Sequence, residues 1–326
     1  HLMPWEIDYA LLTFSQLKKS SYHLNSEDKI FIDVGLNLSS YIINWKESKL
    51  PKQFFIEKFN SIIQLLDFAE VKTTIYQEDN LWGHLDLEKS QIEPHIDYYI
   101  SICPDMWFHE HLLYYIIESA KQIKNKYFII TPEIHKLWDH TWDELTNSNF
   151  QHIPYNEWDK TSIFDIQNVA SNLEEPYLQP ATNFKYAGWF DLYSKSFIEE
   201  LVPIPNSWKG YGPWDYYGML VSEYAKQNNV DVQEYILRNQ IIFEYHPSKD
   251  DKSNFDNFYK NNIKRNQIPN QREIVESNFS HYIQEWVKTS KIKNILYANE
   301  KSHIPRDLIK KIEKLKIYYK NNDYKK

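Results

Sequence analysis

The chain has 326 residues, 42% hydrophobic and 25% charged, so it can bury a core of one large or two small domains, and wholesale disorder is excluded. A single cysteine excludes a disulfide framework and any cysteine-based zinc site. The net charge of −8 is uneven: residues 281–326 carry +7 and the preceding body −15, which argues against a protein that coats DNA but leaves room for a local basic contact through the tail.

Residues 8–22 carry apolar positions at helical spacing, and 29–34 (KIFIDV) form a strand-like run ending near Asp33. A helix over 51–67 and a strand over 71–77 follow. Residues 98–103 (YYISIC) read as a buried strand stopped by Pro104, 108–124 as a helix, and 127–131 (YFIIT) as a strand stopped by Pro132. This alternation implies parallel strands covered by helices, an α/β layer fold. Ligands in such folds sit beyond the carboxyl ends of strands, here Asp33, Asp105 and Thr131–Pro132. Those three strands are expected in one sheet, with the opening HLMPWE as the stub of a first strand. Residues 147–180 read as irregular surface structure and 183–193 as a strand. A short helix is expected near 195–201, a β-rich run over 231–246, a polar linker over 247–270 and helices over 272–289 and 305–320.

Three loci concentrate the chemistry. Of six glycines, four (Gly188, Gly210, Gly212, Gly218) fall within 31 residues, marking a tight segment. Asp215 stands there among Trp208, Tyr211, Trp214, Tyr216 and Tyr217. A carboxylate among rings in a Gly-rich turn suits a sugar site; Gly210–Pro213 also suits an ordinary helix start, with Asp215 complementing the dipole. Asp105, just beyond a buried strand, suits a hard divalent cation and equally an N-cap. His246 ends Glu244-Tyr245-His246 and suits a metal ligand or a structural role. His109 and His111, two apart on the expected helix, do not converge on one ion. Trp138 and Trp142, four apart in WDHTWDEL, share a face and suit core packing, while Trp138 and Trp189 are also candidate stacking platforms.

In order and spacing these loci resemble the metal-dependent, nucleotide-sugar glycosyltransferases of the GT-A fold over roughly residues 1–250. ISICPD (100–105) stands where that family has its Asp-x-Asp motif, AGWFD (187–191) and WKGYGPWDYYG (208–218) where it has the acceptor segment, and FEYH (243–246) at its late metal-binding His. Two departures stand out: Cys103 replaces the first carboxylate of the pair, and Trp214-Asp215 replaces the usual Glu-Asp. MPWEID, LNLSSYIINW, ISICPDMWFHEHL, YFIITPEIHKLWDHTWDEL and GWFDLYSK are most similar to the TET/JBP-associated glycosyltransferases, some of which glycosylate hydroxymethylated pyrimidines in DNA.

The resemblance implies a Rossmann-related mixed sheet flanked by helices over 1–250, with a nucleotide-binding half (1–150) and an acceptor half (151–250). A linker and basic helical extension (251–326) would follow. It implies a nucleoside diphosphate sugar as donor, UDP-linked above all. Mn²⁺ or Mg²⁺ would be held by Asp105 and His246, the nucleoside by Pro4, Trp5, Glu6 and Asp33, and the sugar and acceptor by Gly188, Trp189, Trp138, Trp214 and Tyr211. Asp215 would be the catalytic base of an inverting displacement. The acceptor would be a hydroxymethylated base in DNA, or else a polysaccharide or protein; an inactive carbohydrate- or nucleic-acid-binding module is the alternative class. A metal-dependent nuclease or hydrolase ranks last, because the strand-end acids look single. No apolar run approaches the ~20 residues of a membrane span, and no signal peptide is evident. The expected location is cytoplasmic, in a low-GC bacterium or in the host of a phage that encodes the chain. The start at His1 reads as an added or trimmed terminus.

Overall fold

The computed structural model describes residues 1–40, 42–77, 96–136, 142–182, 189–201, 229–245 and 249–266. Leu2 and a 3-10 turn, Pro4–Glu6, lead into α1 (Ile7–Ser21), whose Ile7, Ala10, Phe14 and Leu17 recur at helical spacing and are buried. Strand β1 (Phe31–Asn37), α2 (Lys52–Ile63) and β2 (Glu70–Tyr76) follow. β1 and β2 pair in parallel from Phe31↔Glu70 to Asn37↔Tyr76. Leu2 bridges to Leu36 on the other edge of β1, so the expected strand stub is reduced to Leu2, and Pro4–Glu6 turns away as a 3-10 helix. Gly35 permits this packing: a Cβ there would lie 2.8 Å from the Tyr76 ring.

The second sheet is built from β3 (Tyr98–Ile102), β4 (Met106–Phe108), β5 (Tyr127–Ile134), β6 (Tyr177–Pro180), β7 (Phe190–Ser194) and β8 (Val232–Glu244). Its order is β3-β7-β5-β8-β4, with β6 also on β8. It is a mixed sheet, with β5–β8 parallel and the other pairs antiparallel. α1 packs on β4, α3 (Leu112–Gln122) on β5 and α4 (Ile163–Ala170) on β8. Mixed α/β architecture with flanking helices is thus as expected. Uniformly parallel pairing is not: a tight turn reverses the chain between β3 and β4, and β7 enters antiparallel between β3 and β5. The single sheet is not found either. β3 and β5 share one through β7, whereas among the described strands β1 pairs with β2 and, on its other edge, is bridged by the stub. One core nonetheless spans both, from Leu2, Leu36 and Phe55 to Phe108, Ile130 and Phe190.

β5 runs through Pro132 rather than stopping at it. Its register on β8 jumps from Pro132↔Leu237 to Glu133↔Ile241, so the ladder is already broken where proline has no N–H to give. The excess residues Arg238–Gln240 bulge outward, with Asn239 at φ 64°. Buried Glu133 holds the bulge, accepting from Arg238 (3.0 Å), the Asn239 N–H (3.0 Å) and the Asn147 amide (2.5 Å). The bulge divides β8, whose first half pairs with β6 and whose end pairs with β4.

The expected linker over 247–270 contains α5 (Lys249–Asn262), so the boundary after residue 250 falls inside a helix. Phe255, Tyr259 and Ile263 form an apolar stripe at i, i+4, i+8 that joins the core. The Tyr259 hydroxyl and Lys58 both bond to Asp8 of α1, and Ile43 bridges to Arg265. Residues 183–188, 202–228 and 267–326, with the Gly-rich segment and the basic tail, lie outside the described residues.

β4 is an edge strand whose outer side is closed by side chains. The Thr13 hydroxyl accepts the Met106 N–H (2.9 Å) and donates to the Pro104 carbonyl (2.6 Å), and Gln16 donates to the Phe108 carbonyl (2.8 Å). Thr13→Val keeps the shape and orphans a buried N–H. It should lower unfolding stability by about 1–3 kcal/mol in urea titration; a loss below about 0.5 kcal/mol would show that the clamp is idle.

Candidate functional site

The Pro4–Glu6 turn, the Cys103-Pro104-Asp105 turn and the end of β8 meet in an acidic crevice. Cys103 donates its N–H to the Trp189 carbonyl (2.7 Å), and Tyr245 donates its N–H to the Asp105 carbonyl (2.6 Å). The latter bond extends the β4–β8 ladder, in which Met106 faces Glu244. Five positions singled out by sequence, Pro4, Trp5, Glu6, Asp105 and Trp189, therefore belong to the segments bordering one region. His246 lies outside the described residues, but Tyr245, its chain neighbour, is bonded to Asp105. Asp215, Tyr211, Trp214, Gly188 and Trp138 also lie outside them.

Burial dominates the electrostatics, with several acids and the N-terminal ammonium nearby. Burial pushes the Cys103 thiol well above its usual range, and Asp105, Glu244 and Glu6 push it further. The Tyr9 phenol is raised by burial, then by Asp256 and Asp105. Burial also raises Glu6, against the opposing pull of the Met3 N–H it accepts at 2.8 Å and of Arg265. The β3–β4 turn and the antiparallel return of β8 bring Asp105, Glu244 and Glu6 within electrostatic reach of Cys103 from three distant segments. Carboxylate oxygens suit a hard divalent cation, but among the described residues these three do not close into one set of ligands.

Arg265 completes the region and was missed by sequence reading. Its guanidinium lies 4.0 Å from the centroid of the Trp5 ring, with Glu6 and Asp256 facing it. Its signal was rarity, as one of four arginines in a lysine-rich chain. Asp33 is corrected in place: it is the third residue of β1 and opposes Lys72 (3.6 Å), while Asn37 holds the carboxyl end. Asp191, the acid of AGWFD, is fully buried and accepts from the Thr131 hydroxyl.

His109 and His111 are also corrected. They lie in the turn between β4 and α3, not on a helix, so their rings approach with Nδ1 atoms 3.3 Å apart. Burial lowers the pKa of His109, and His111 lowers it further.

Comparison with protein-family models and with curated proteins gives no match for this chain.

A raised thiol pKa leaves little nucleophilic thiolate at pH 8. Iodoacetamide should alkylate Cys103 in the folded chain at least about tenfold more slowly than in guanidinium-unfolded chain. Equal rates, followed by mass spectrometry, would show that neither burial nor the neighbouring charges protect the thiol.

Proposed function

We propose that the chain is a metal-dependent, inverting glycosyltransferase of GT-A type. It moves a hexose from a nucleoside diphosphate sugar, UDP-linked above all, to an acceptor hydroxyl, with a hydroxymethylated pyrimidine in DNA as the favoured acceptor. The observation that carries this reading is the meeting of the N-terminal turn, Asp105, Glu244 and the Trp189 backbone in one acidic crevice. With β1 and β2 outside the main ladder, the reading rests on that crevice and not on sheet continuity.

On this reading Trp5, stacked with Arg265, offers the base a flat apolar platform, and Pro4 and Glu6 fix the platform's turn. Asp33, whose charge acts with those of Glu6 and Cys103 on the N-terminal amine, would reach the nucleoside from within β1. Asp105 and His246, with Glu244 as a further carboxylate, would hold Mn²⁺ or Mg²⁺, which neutralises charge on the diphosphate. Cys103, held as the neutral thiol, adds no charge to that set. Trp189, Gly188, Trp138, Tyr211 and Trp214 would border the sugar and acceptor. The acceptor oxygen attacks the anomeric carbon while the bond from that carbon to the diphosphate oxygen breaks. The electron pair leaves with the diphosphate and the acceptor proton passes to Asp215, giving inversion.

A metal-dependent hydrolase is the second reading, favoured by the three acids that act on Cys103. Among the described residues no helix is long and apolar enough to cross a membrane, and neither reading needs one.

In a thermal-shift series of UDP, GDP and ADP with and without Mn²⁺, one nucleotide should raise the melting temperature only with metal, and Asp105→Asn should abolish the rise. The matching sugar nucleotide should be slowly hydrolysed, about 10²–10⁴-fold more slowly by Asp215→Asn, with nucleotide binding nearly unchanged. Binding without any hydrolysis would leave a non-catalytic module. Cleavage of DNA with no nucleotide response would establish the hydrolase and overturn the transferase.

A further inference from the structure

We propose that His23, Glu110 and His111 form a second metal site, for a borderline transition cation of the Zn²⁺ class, at the end of α1 remote from the crevice. One ligand atom from each lies within 4.8 Å of the other two. His23 Nε2 is 3.7 Å from Glu110 Oε1, and the His23 and His111 rings are 4.0 Å apart at their centroids. Zn²⁺ bonds of about 2.0–2.2 Å put tetrahedral ligands roughly 3.4 Å from one another, so a small contraction closes the set. Two imidazoles and a carboxylate are the donors of open zinc sites, which leave a fourth position for water. His109, with its Nδ1 3.3 Å from that of His111, is the adjoining group that orients or supplements the ligands.

The crevice is a different place with different chemistry. It offers carboxylate oxygens, which suit Mg²⁺ and Mn²⁺, whereas imidazole favours Zn²⁺ and its neighbours. α1 separates the two. Glu6 precedes its first residue and His23 follows its last by two, so 15 helical residues, about 22 Å of rise, stand between them. Thr13 and Gln16 bond along β4 toward its His109 end, so helix and strand arrive together. A bound cation would pin the end of α1 to the β4–α3 turn and would act as a staple on the fold, independent of sugar transfer.

The test is titration of the full chain with Zn²⁺ against a chromophoric chelator, with melting temperature as a second readout. His23 is about one-third exposed just past a helix end, so His23→Gln should fold like the parent. The parent should take up Zn²⁺ at this site and melt higher with it. His23→Gln and His111→Gln should each weaken uptake at least tenfold and remove the melting shift, as expected for loss of one ligand in three. Asp105→Asn should leave both unchanged, and a large excess of Mg²⁺ should not displace the ion. Absence of uptake at 100 µM Zn²⁺, or uptake insensitive to both histidine substitutions, would overturn the proposal. So would uptake lost only in Asp105→Asn.

Discussion

The hydrogen bonding of α1 to the open edge of β4 is the constraint on which the rest of the structure depends. In an antiparallel ladder, backbone groups point alternately toward and away from the partner strand. Asp105 turns its carbonyl to Tyr245, whereas Met106 and Phe108 turn theirs toward α1. Thr13 and Gln16, both buried, thus stand in for a missing strand. A buried edge left without them would carry orphaned polar groups. The same contact fixes the Cys103-Pro104-Asp105 turn, because Thr13 holds the Pro104 carbonyl as well. It also sets the N-terminus of α1 beside that turn. Glu6 and Trp5 therefore border the crevice through the placement of the helix that follows them.

Two further devices make that arrangement durable. The bulge at Arg238–Gln240 lets one long strand serve β6 with its first half and β4 with its last, delivering Glu244 and Tyr245 to the crevice. Glu133 stabilises the bulge from within, satisfied by an arginine, an amide and a backbone N–H, so its carboxylate does not stand unpaired. On the opposite flank, Asp8 gathers Lys58 and Tyr259 and docks α5 onto α1 and α2. This docking carries Arg265 to the face of Trp5. Burial first, and then the charges of Asp105, Glu244 and Glu6, hold the Cys103 thiol neutral.

Much of this was legible in the sequence. The apolar spacing of α1 and α2, the runs of β1, β2, β3 and β8 and the crevice position of Asp105 all follow from local pattern. What was not legible depends on long-range pairing. Pro132 reads as a stop, yet β5 passes it because a bulge in a partner more than 100 residues away has already released the ladder there. His109 and His111 read as helix surface because nothing local reveals that Met106–Phe108 is a strand recruited by β8 and α1. Asp33 reads as a strand end because Gly35, just beyond it, reads as a break and hides the continuation to Asn37. α5 reads as linker because its apolar stripe has only one residue per turn, Phe255, Tyr259 and Ile263, within a strongly polar helix. Arg265 beside Trp5 could not be seen either, since α5, which carries it there, reads as linker.

The central claim is that the crevice around Asp105 and Glu244 binds a hard cation together with a nucleoside diphosphate. Crystals grown with Mn²⁺ and UDP test it most directly, through an anomalous difference map measured near the manganese edge. The account predicts a peak within about 2.6 Å of an Asp105 carboxylate oxygen, with diphosphate density beside it and the uracil toward Trp5. A manganese peak confined to other residues, or nucleotide bound away from the Pro4–Glu6 turn, would contradict it.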